Sequence, residues 1–460
     1  MDNKIIFIIA ILWFVFFAKQ MLFWFWLWQL KEYHWGRFKA HFETQGTKKV
    51  LSSIWRFKYP KPTKKILAII AYSLLLEWAI WGRFLRLNSG LFYLALVLSL
   101  ILAPVIASLI VLLFEMPAVV LRNKLLEKAR QKRKQFKDLV VIGITGSYGK
   151  TSVKEFLYAI LSEKFRVLKT PSHINAEVGI ARTIIRELKP EHQIFIAEIG
   201  AYERGKISEV CWMLQPKIGI LTGINEQHMS TFGSQENIMK AKFELIESLP
   251  KNGFAIFNGA NKYCRALYGK TAIPKIITSS DSNTFSTIVE KVLLWDKENF
   301  LMAAAAAQYL GMTFDEIAKA SQKIKNSIEI KSGFNGTKVI DSAYSANPDS
   351  VISHLEYFKG RGEGKIIVMP CLIELGSSSK KIHQRIGESI GQVCDLAIIT
   401  TNDRFEDIRD GALRSGMLPD KIVLIENPKK ILQKLKVVAK PGDIILLEGR
   451  VSKQIIKGLL

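Results

Sequence analysis

The segment Gly146-Ser147-Tyr148-Gly149-Lys150-Thr151-Ser152 places two glycines, a lysine and several hydroxyls in the order a phosphate-binding loop needs. Gly146 and Gly149 let the backbone turn and aim its N–H groups at a phosphate, and the N-terminus of a following helix adds positive dipole. In such a loop Lys150 would reach the β- and γ-phosphates of a nucleotide, and Thr151 would hold Mg2+. The strict Walker A spacing asks for a glycine six residues before the lysine, and Ile144 stands there, so the loop is a shorter variant. A chance glycine-rich turn is the competing reading, and the flanking sequence weighs against it.

A loop of this kind works only if a strand ends on it and a helix starts from it. LVVIGIT (139–145) is a short β-branched run, and VKEFLYAILSEKF (153–165) carries apolar residues at helical spacing. Downstream, strand-like runs alternate with helical segments, which predicts an α/β ATPase-type domain with a mostly parallel sheet over 139–328. KVIDSAY, KIIVMP, LAIITTN, KIVLIE and DIILLEG predict a second, smaller Rossmann-like domain over 329–460. A site between two such domains would be assembled by their closure.

Residues 1–138 follow a different pattern. Apolar stretches run over 5–28, 66–82 and 91–114, where a spanning helix needs about 20 apolar residues. The middle one is short and carries Glu77, and Trp24, Trp26 and Trp28 fall where an aromatic belt would meet lipid headgroups. These stretches predict a membrane domain of about three transmembrane helices. A cleaved signal peptide fits poorly, because the first stretch is too long and lacks a small-residue cleavage site.

The 460 residues carry 65 Lys/Arg against 41 Asp/Glu, a net charge of +24, which taken alone suggests a nucleic-acid partner. Its distribution favours a lipid surface instead. Segments 31–65 and 115–138 hold eighteen Lys/Arg against five acidic residues and abut the apolar stretches. The positive-inside rule then puts the N-terminus outside and everything after Phe114 in the cytoplasm. A multi-pass cell-membrane protein with cytoplasmic soluble domains is expected, and no nucleic-acid partner. The 26 Phe and ten Trp exclude a disordered chain. Cys211, Cys264, Cys371 and Cys394 form no C-x-x-C pair, so neither a zinc site nor a disulfide framework is expected.

Several segments, in order, resemble the Mur ligase family, the ATP-dependent amide ligases that build the peptide of the bacterial cell wall. These are ITGSYGKTS, TPSHINAEVGIARTI (170–184), IFIAEIGAYERGKISEV (194–210), PKIGILTGINEQHMSTFGS (216–234), ENIMKAKFELIESLPKNGFAIFN (236–258), VIDSAYSANPDSV (339–351) and IELGSSSKKIHQRIG (373–387). The resemblance covers about 139–460 and is closest to the MurF type, which adds D-alanyl-D-alanine. It implies ATP and Mg2+ as cofactors. It also implies that Thr151 and Glu198 hold a first Mg2+ and that His228 ligates a second. Lys242 is implied to be a carbamylated lysine that binds or orients the metal, and Asn175 to lie near the γ-phosphate and substrate. Lys240 is two residues from Lys242, and the AKFELI context favours Lys242. Gly146, Ser147, Tyr148, Gly149, Lys150, Thr151 and Ser152 would cradle the phosphates, Asn299 would contact adenine, and Asp341 would face the nucleotide once the C-terminal domain closes.

The sequence also departs from the family pattern. His173 replaces the first Asn of the T-x-x-N-x-N segment. Glu298 and Met302 replace a His and an Asn beside Asn299. Ser342 replaces the second Asp after Asp341, while Asn347 is retained. Glu448 stands where the MurF type has Lys, with Arg450 close enough to compensate. The soluble domain with which MurF-type members grip the uridine nucleotide is replaced by the apolar, basic N-terminal region. The expectation is a membrane-anchored ligase that activates a carboxylate as acyl phosphate and joins it to an amino acid or to D-alanyl-D-alanine. Its acceptor would be a peptide or a lipid-linked muramyl peptide. A ligase of another polymer, such as a polyglutamate, and a non-catalytic ATP-binding membrane scaffold are the alternatives; a P-loop transport motor is a weaker one.

Overall fold

The computed structural model describes residues 3–460 except 34, 46, 85–88, 173, 280–296, 325–329, 344–345 and 361–362. The chain forms two compact units, Met1–Lys124 and Leu125–Leu460. In the first, helices Asn3–Leu30, Lys64–Phe84 and the beginning of Ser89–Lys134 stand at the three expected apolar stretches. Among the described residues two helical stretches, Ile11–Leu30 and Gly90–Lys134, are long and apolar enough to cross a membrane. Lys64–Phe84 carries two lysines at its start and Glu77 inside.

The tryptophans depart from the expected belt. Trp24 and Trp28 are buried inside the helical unit, where Trp28 stacks on Phe38 at 4.2 Å and its Nε1 donates to Ser108 Oγ at 3.0 Å. Ser108 thereby satisfies the N–H of the buried Trp28 indole. Trp78, Leu75, Ile101 and Leu109 point outward instead, each more than half exposed, so the outside of this unit is apolar.

The second unit holds two sheets. Strands β1 (Val140–Thr145), β2 (Val167–Lys169), β3 (Ile194–Glu198), β4 (Ile218–Leu221), β5 (Phe254–Asn258) and β6 (Lys275–Thr278) form an all-parallel sheet in the order β2-β3-β1-β4-β5-β6. Their near-continuous Ile, Val, Phe and Leu runs follow from burial on both faces. One face packs on helices Glu177–Glu187, Lys206–Leu214 and Gln235–Glu247, the other on Lys150–Leu161 and Lys297–Tyr309. The alanines of Lys297–Tyr309 let it lie close against Lys150–Leu161, with Phe156 edge-on to Phe300. Leu126 and Ala129 join this core from the end of helix Ser89–Lys134, and Lys132 Nζ donates to Ile185 O at 2.9 Å.

β1 and β4 sit at the centre of the sheet and β3 beside β1. The segments leaving the carboxyl ends of all three therefore converge on one edge, where ligands bind in open parallel sheets.

The C-terminal sheet has the order β11-β10-β9-β12-β8-β7, parallel except for β7 (Ile330–Ser332), which runs antiparallel to β8 (Lys338–Ser342). All five expected strands are present here: β8, β9 (Lys365–Met369), β10 (Leu396–Ile399), β11 (Ile422–Leu424) and β12 (Ile444–Glu448). β7 is an edge strand of three residues, too short for a periodic signal. Helices Ser379–Val393 and Phe405–Arg414 pack backbone to backbone. A side-chain carbon on Gly387 would lie 2.0 Å from Ile408 O, and one on Gly411 2.1 Å from Gln384 O.

Gly411→Ala should therefore destabilise the C-terminal domain by about 1–3 kcal/mol through overpacking, although alanine in an open helix gains about 1 kcal/mol over glycine. Hydrogen exchange across both helices in the intact variant checks this; protection equal to wild type would refute the tight crossing.

Candidate active site at the edges of two parallel sheets

β1 ends at the buried Thr145, and the loop 146–149 carries the chain into helix Lys150–Leu161. Gly149 has φ 77°, and a side-chain carbon on it would meet Asn299 Oδ1 at 2.4 Å, so only glycine fits. Neighbouring segments hold the loop's shape. Ser147 N donates to Gly223 O at 2.6 Å, Asn225 N donates to Ser147 Oγ at 3.2 Å, and Thr222 Oγ1 donates to Tyr148 O. Asn261 Nδ2 donates to Tyr148 Oη at 3.0 Å. Lys150 folds back over the loop and donates from Nζ to Gly146 O at 2.8 Å and Ser147 O at 3.3 Å. Burial pushes its amine below the ordinary lysine value, and Glu198 acts against that shift.

Glu198 ends β3 as the register partner of Ile144 and is almost wholly buried. Thr151 Oγ1 donates to its Oε2 at 3.0 Å and Asn175 Nδ2 to its Oε1 at 3.1 Å. Lys154 Nζ, fully buried one turn after Lys150, lies 3.3 Å from the same Oε2. Three of the expected site residues, Thr151, Asn175 and Glu198, thus meet at one carboxylate. Lys154 is an addition, and its i+4 spacing from Lys150 was the available signal. Carboxylate and hydroxyl oxygens are the hard donors Mg2+ takes, usually one or two carboxylates completed by substrate phosphates and water. Among the described residues no group of three or more His, Cys, Asp or Glu is arranged for a metal.

His228 and Lys242 lie on the same side. Lys242 comes from helix Gln235–Glu247, is 2% exposed, and reaches Ala201 O at 3.5 Å. Burial, and next the nearby Lys150, lower its amine to about 7. Lys240 faces solvent and pairs with Glu236 at 2.6 Å, which assigns the buried position to Lys242. His228 is likewise lowered, first by burial, with Glu374 opposing and with Lys242 and Lys150 adding to the shift. Its backbone is left-handed (φ 66°), and its ring packs edge-on against Tyr202 at 4.7 Å. Three nitrogen bases therefore converge in a half-dry region, an arrangement that suits an anionic ligand.

The C-terminal domain faces this edge. Asn225 Nδ2 donates to Asn347 Oδ1 at 3.1 Å and to Asp349 Oδ2 at 2.8 Å, and Arg385 Nη2 donates to Asp349 Oδ1 at 3.1 Å. Asp341 instead accepts from Ala343 N and lies 3.8 Å from Lys331. Asn347 and Asp349 are thus the residues that reach the loop-side Asn225. Asn299 packs on Gly149, at the phosphate loop, and Met302 is fully buried in the helix core. Glu448 is fully buried and pairs with His354 Nδ1 at 2.6 Å, whereas Arg450 is exposed. His354 therefore compensates the acidic residue at 448, and burial raises that carboxyl above its ordinary value against the pull of His354. His173 lies outside the described residues.

Residues 144–300 match the Mur ligase middle domain and 328–451 the Mur ligase glutamate ligase domain, in the order of these two sheets. The chain belongs to the Mur ligase family. As a member it is an ATP-dependent ligase that forms carbon–nitrogen bonds. The UDP-N-acetylmuramoyl-tripeptide–D-alanyl-D-alanine ligase of Bacillus subtilis is 29% identical over 349 residues, covering 70% of this chain and 76% of that protein. The fold is that of MurF from Acinetobacter baumannii (TM-score 0.63, 22% identity, 71% of this chain and 77% of that one). It is likewise that of MurF ligase from Thermotoga maritima, solved in complex with ADP (TM-score 0.61, 23% identity, 73% and 83%). Both matched domains lie within the second unit, and residues 1–138 fall outside them.

The depressed Lys242 amine sets a pH dependence. Between about pH 7 and the ordinary lysine value of 10.5, the unfolded chain binds a proton that the folded one does not, so stability rises with pH across that window. Lys242→Met should remove up to about 1.4 kcal/mol of this rise per pH unit, making the variant the more stable protein at pH 7 with a gap that closes toward pH 10. Denaturant melts at pH 7, 8.5 and 10 in CO2-free buffer test it; parallel curves for both proteins would show that Lys242 stays charged.

Proposed function

We propose that the protein is a membrane-anchored MurF-type ligase that uses ATP and Mg2+ to join an amino acid or D-alanyl-D-alanine to a muramyl-peptide carboxylate. The observation that carries this reading is the meeting of the phosphate loop, the Glu198–Thr151–Asn175 cluster and the Lys150–Lys242–His228 group at one sheet edge. The reaction needs an activated acyl group. The carboxylate attacks the γ-phosphorus of ATP to give an acyl phosphate and ADP. The amine, having lost its ammonium proton, then attacks the acyl carbon, and the tetrahedral species expels phosphate. Positioning and charge neutralisation among carboxylate, phosphates and amine supply most of the rate.

Each residue has a place in that scheme. The loop amides from Gly146 to Ser152 and the Lys150 amine bind the β- and γ-phosphates, with Lys150 leaving its loop carbonyls to do so. Thr151 and Glu198 hold the cation whose charge offsets the phosphates, and His228 is a ligand of a second. Asn175, anchored on Glu198, orients the γ-phosphate and the acceptor carboxylate. Lys242, with an amine lowered to about 7, has a substantial neutral fraction at neutral pH, and that neutral form adds CO2 and releases a proton to become a carbamate. A carbamate there replaces a buried cation beside Lys150 by an anion. Asn299 packs on Gly149 of the loop, and Asn347 and Asp349, rather than Asp341, face the nucleotide from the C-terminal domain.

The first unit anchors the enzyme in the cell membrane with both catalytic domains in the cytoplasm. Basic segments 31–65 and 115–138 can face the same side only if the chain crosses twice between them. The positive-inside rule thus favours Lys64–Phe84 as a third crossing beside Ile11–Leu30 and the helix that starts at Gly90. An enzyme held there meets a lipid-linked muramyl peptide more often than a free nucleotide, so the lipid-linked substrate is the preferred acceptor.

The test is ATP-dependent ligation in detergent with D-amino-acid dipeptides and with soluble or lipid-linked acceptors, read by mass spectrometry. Lys150→Ala should lower product and ADP together by on the order of 10²–10³. Lys240→Ala should stay near wild type while Lys242→Ala loses activity. Retained nucleotide binding with no product from any acceptor would mark a scaffold, and preference for the soluble acceptor would remove the lipid-linked assignment.

A further inference from the structure

Two of the few non-glycine residues held at left-handed φ meet each other across the two catalytic domains. His228 (φ 66°) follows β4 in the ATPase domain, and Glu374 (φ 65°) follows β9 in the C-terminal domain. His228 Nδ1 lies 2.6 Å from Glu374 Oε2. Left-handed backbone is uncommon for such side chains and collects where a site over-determines the conformation. The same segment docks through its backbone. Ser230 N donates to Glu374 O at 3.3 Å, and Gly376 (φ 53°) sits so close to Met229 that a side-chain carbon on it would touch Met229 Cγ at 3.0 Å.

An ionised carboxylate only accepts hydrogen bonds, so His228 Nδ1 carries the hydrogen and donates it. The lone pair is then on Nε2. Tyr202, packed edge-on at 4.7 Å, fixes the remaining freedom of the ring. Ligating histidines ordinarily have their other nitrogen held in this way, and loss of the partner weakens metal binding by about 10–100-fold. Here the partner comes from the other domain.

We propose that Glu374 is a positioning residue through which the docked C-terminal domain sets the tautomer and orientation of His228, so that the cation site of the ATPase domain is complete only when the two domains are together. The inference rests on the reading of His228 as a cation ligand. It makes domain docking a condition for metal binding, which delays phosphate activation until the C-terminal domain is in place.

The experiment is an electron paramagnetic resonance titration of Mn2+, as probe for Mg2+, into the full-length protein in detergent with a non-hydrolysable ATP analogue. Glu374→Ala and Glu374→Asp, the latter too short to span the contact, should bind Mn2+ about 10–100-fold more weakly. Glu374→Gln, which keeps an acceptor for the Nδ1 hydrogen, should recover most of the affinity. His228→Ala should lose at least as much as Glu374→Ala, and the double variant no more than His228→Ala alone. Wild-type affinity in the Ala or Asp variant, a Gln variant as weak as Ala, or multiplicative losses in the double variant would each overturn the proposal. If Glu374→Ala does not fold, the Asp and Gln variants decide. Wild-type affinity in His228→Ala would instead show that the ligand reading itself fails, and the inference with it.

Discussion

The Glu198 carboxylate, closed off from solvent at the end of a central-sheet strand, constrains most of what surrounds it. A buried carboxylate is costly by several kcal/mol unless its oxygens are paired, and here each has a partner from a different segment. Thr151 and Lys154 come from the helix after the phosphate loop, and Asn175 from the loop after β2. The start of that helix, the end of β3 and the substrate-side loop are therefore fixed relative to one another before any nucleotide arrives. Such pre-organisation is what an electrostatic mechanism needs, because donors already in place cost no reorganisation during the reaction.

The charge around this anchor is unbalanced. Burial lowers Lys150, Lys242 and His228; Lys150 lowers Lys242 further, and both lysines lower His228 further. Phosphates, and a carbamate on Lys242, would relieve that repulsion. The C-terminal domain contributes the opposite sign, with Asp349 at Asn225 and Glu374 at His228. Attraction across the cleft thus comes from residues that also touch the catalytic edge, which couples docking of the domains to the state of the site.

Much of this was legible in the chain. The strand–loop–helix around GSYGKTS, Glu198 at a strand end, and the five main C-terminal strands all rest on local pattern, and each stands as expected. The pairings between distant segments were not legible. Asn225 and Asn347 are 122 residues apart, and His228 and Glu374 are 146 apart. Glu448 read as a lost lysine beside Arg450; its actual partner, His354, lies on a helix that no spacing rule connects to it. Met302 read as a lost base contact and is a core residue, because its helix turns that face toward Lys150–Leu161. Trp24 and Trp28 looked like a headgroup belt and are instead packed among helices.

Sequence alone determined the elements and the chemical types, because strand and helix periodicity, glycine at a tight loop and apolar length are properties of neighbouring residues. It therefore reached the two-sheet architecture, the phosphate loop and the apolar N-terminal helices. Tertiary structure decided which nitrogen and oxygen atoms share a dry space. It lowered Lys242 to about 7 by burying it beside Lys150, made Lys154 a partner of Glu198, and brought Glu374 to His228. Those outcomes depend on distance and dielectric between segments far apart in the chain, and such quantities exist only once the sheets have stacked their helices and the two domains have met.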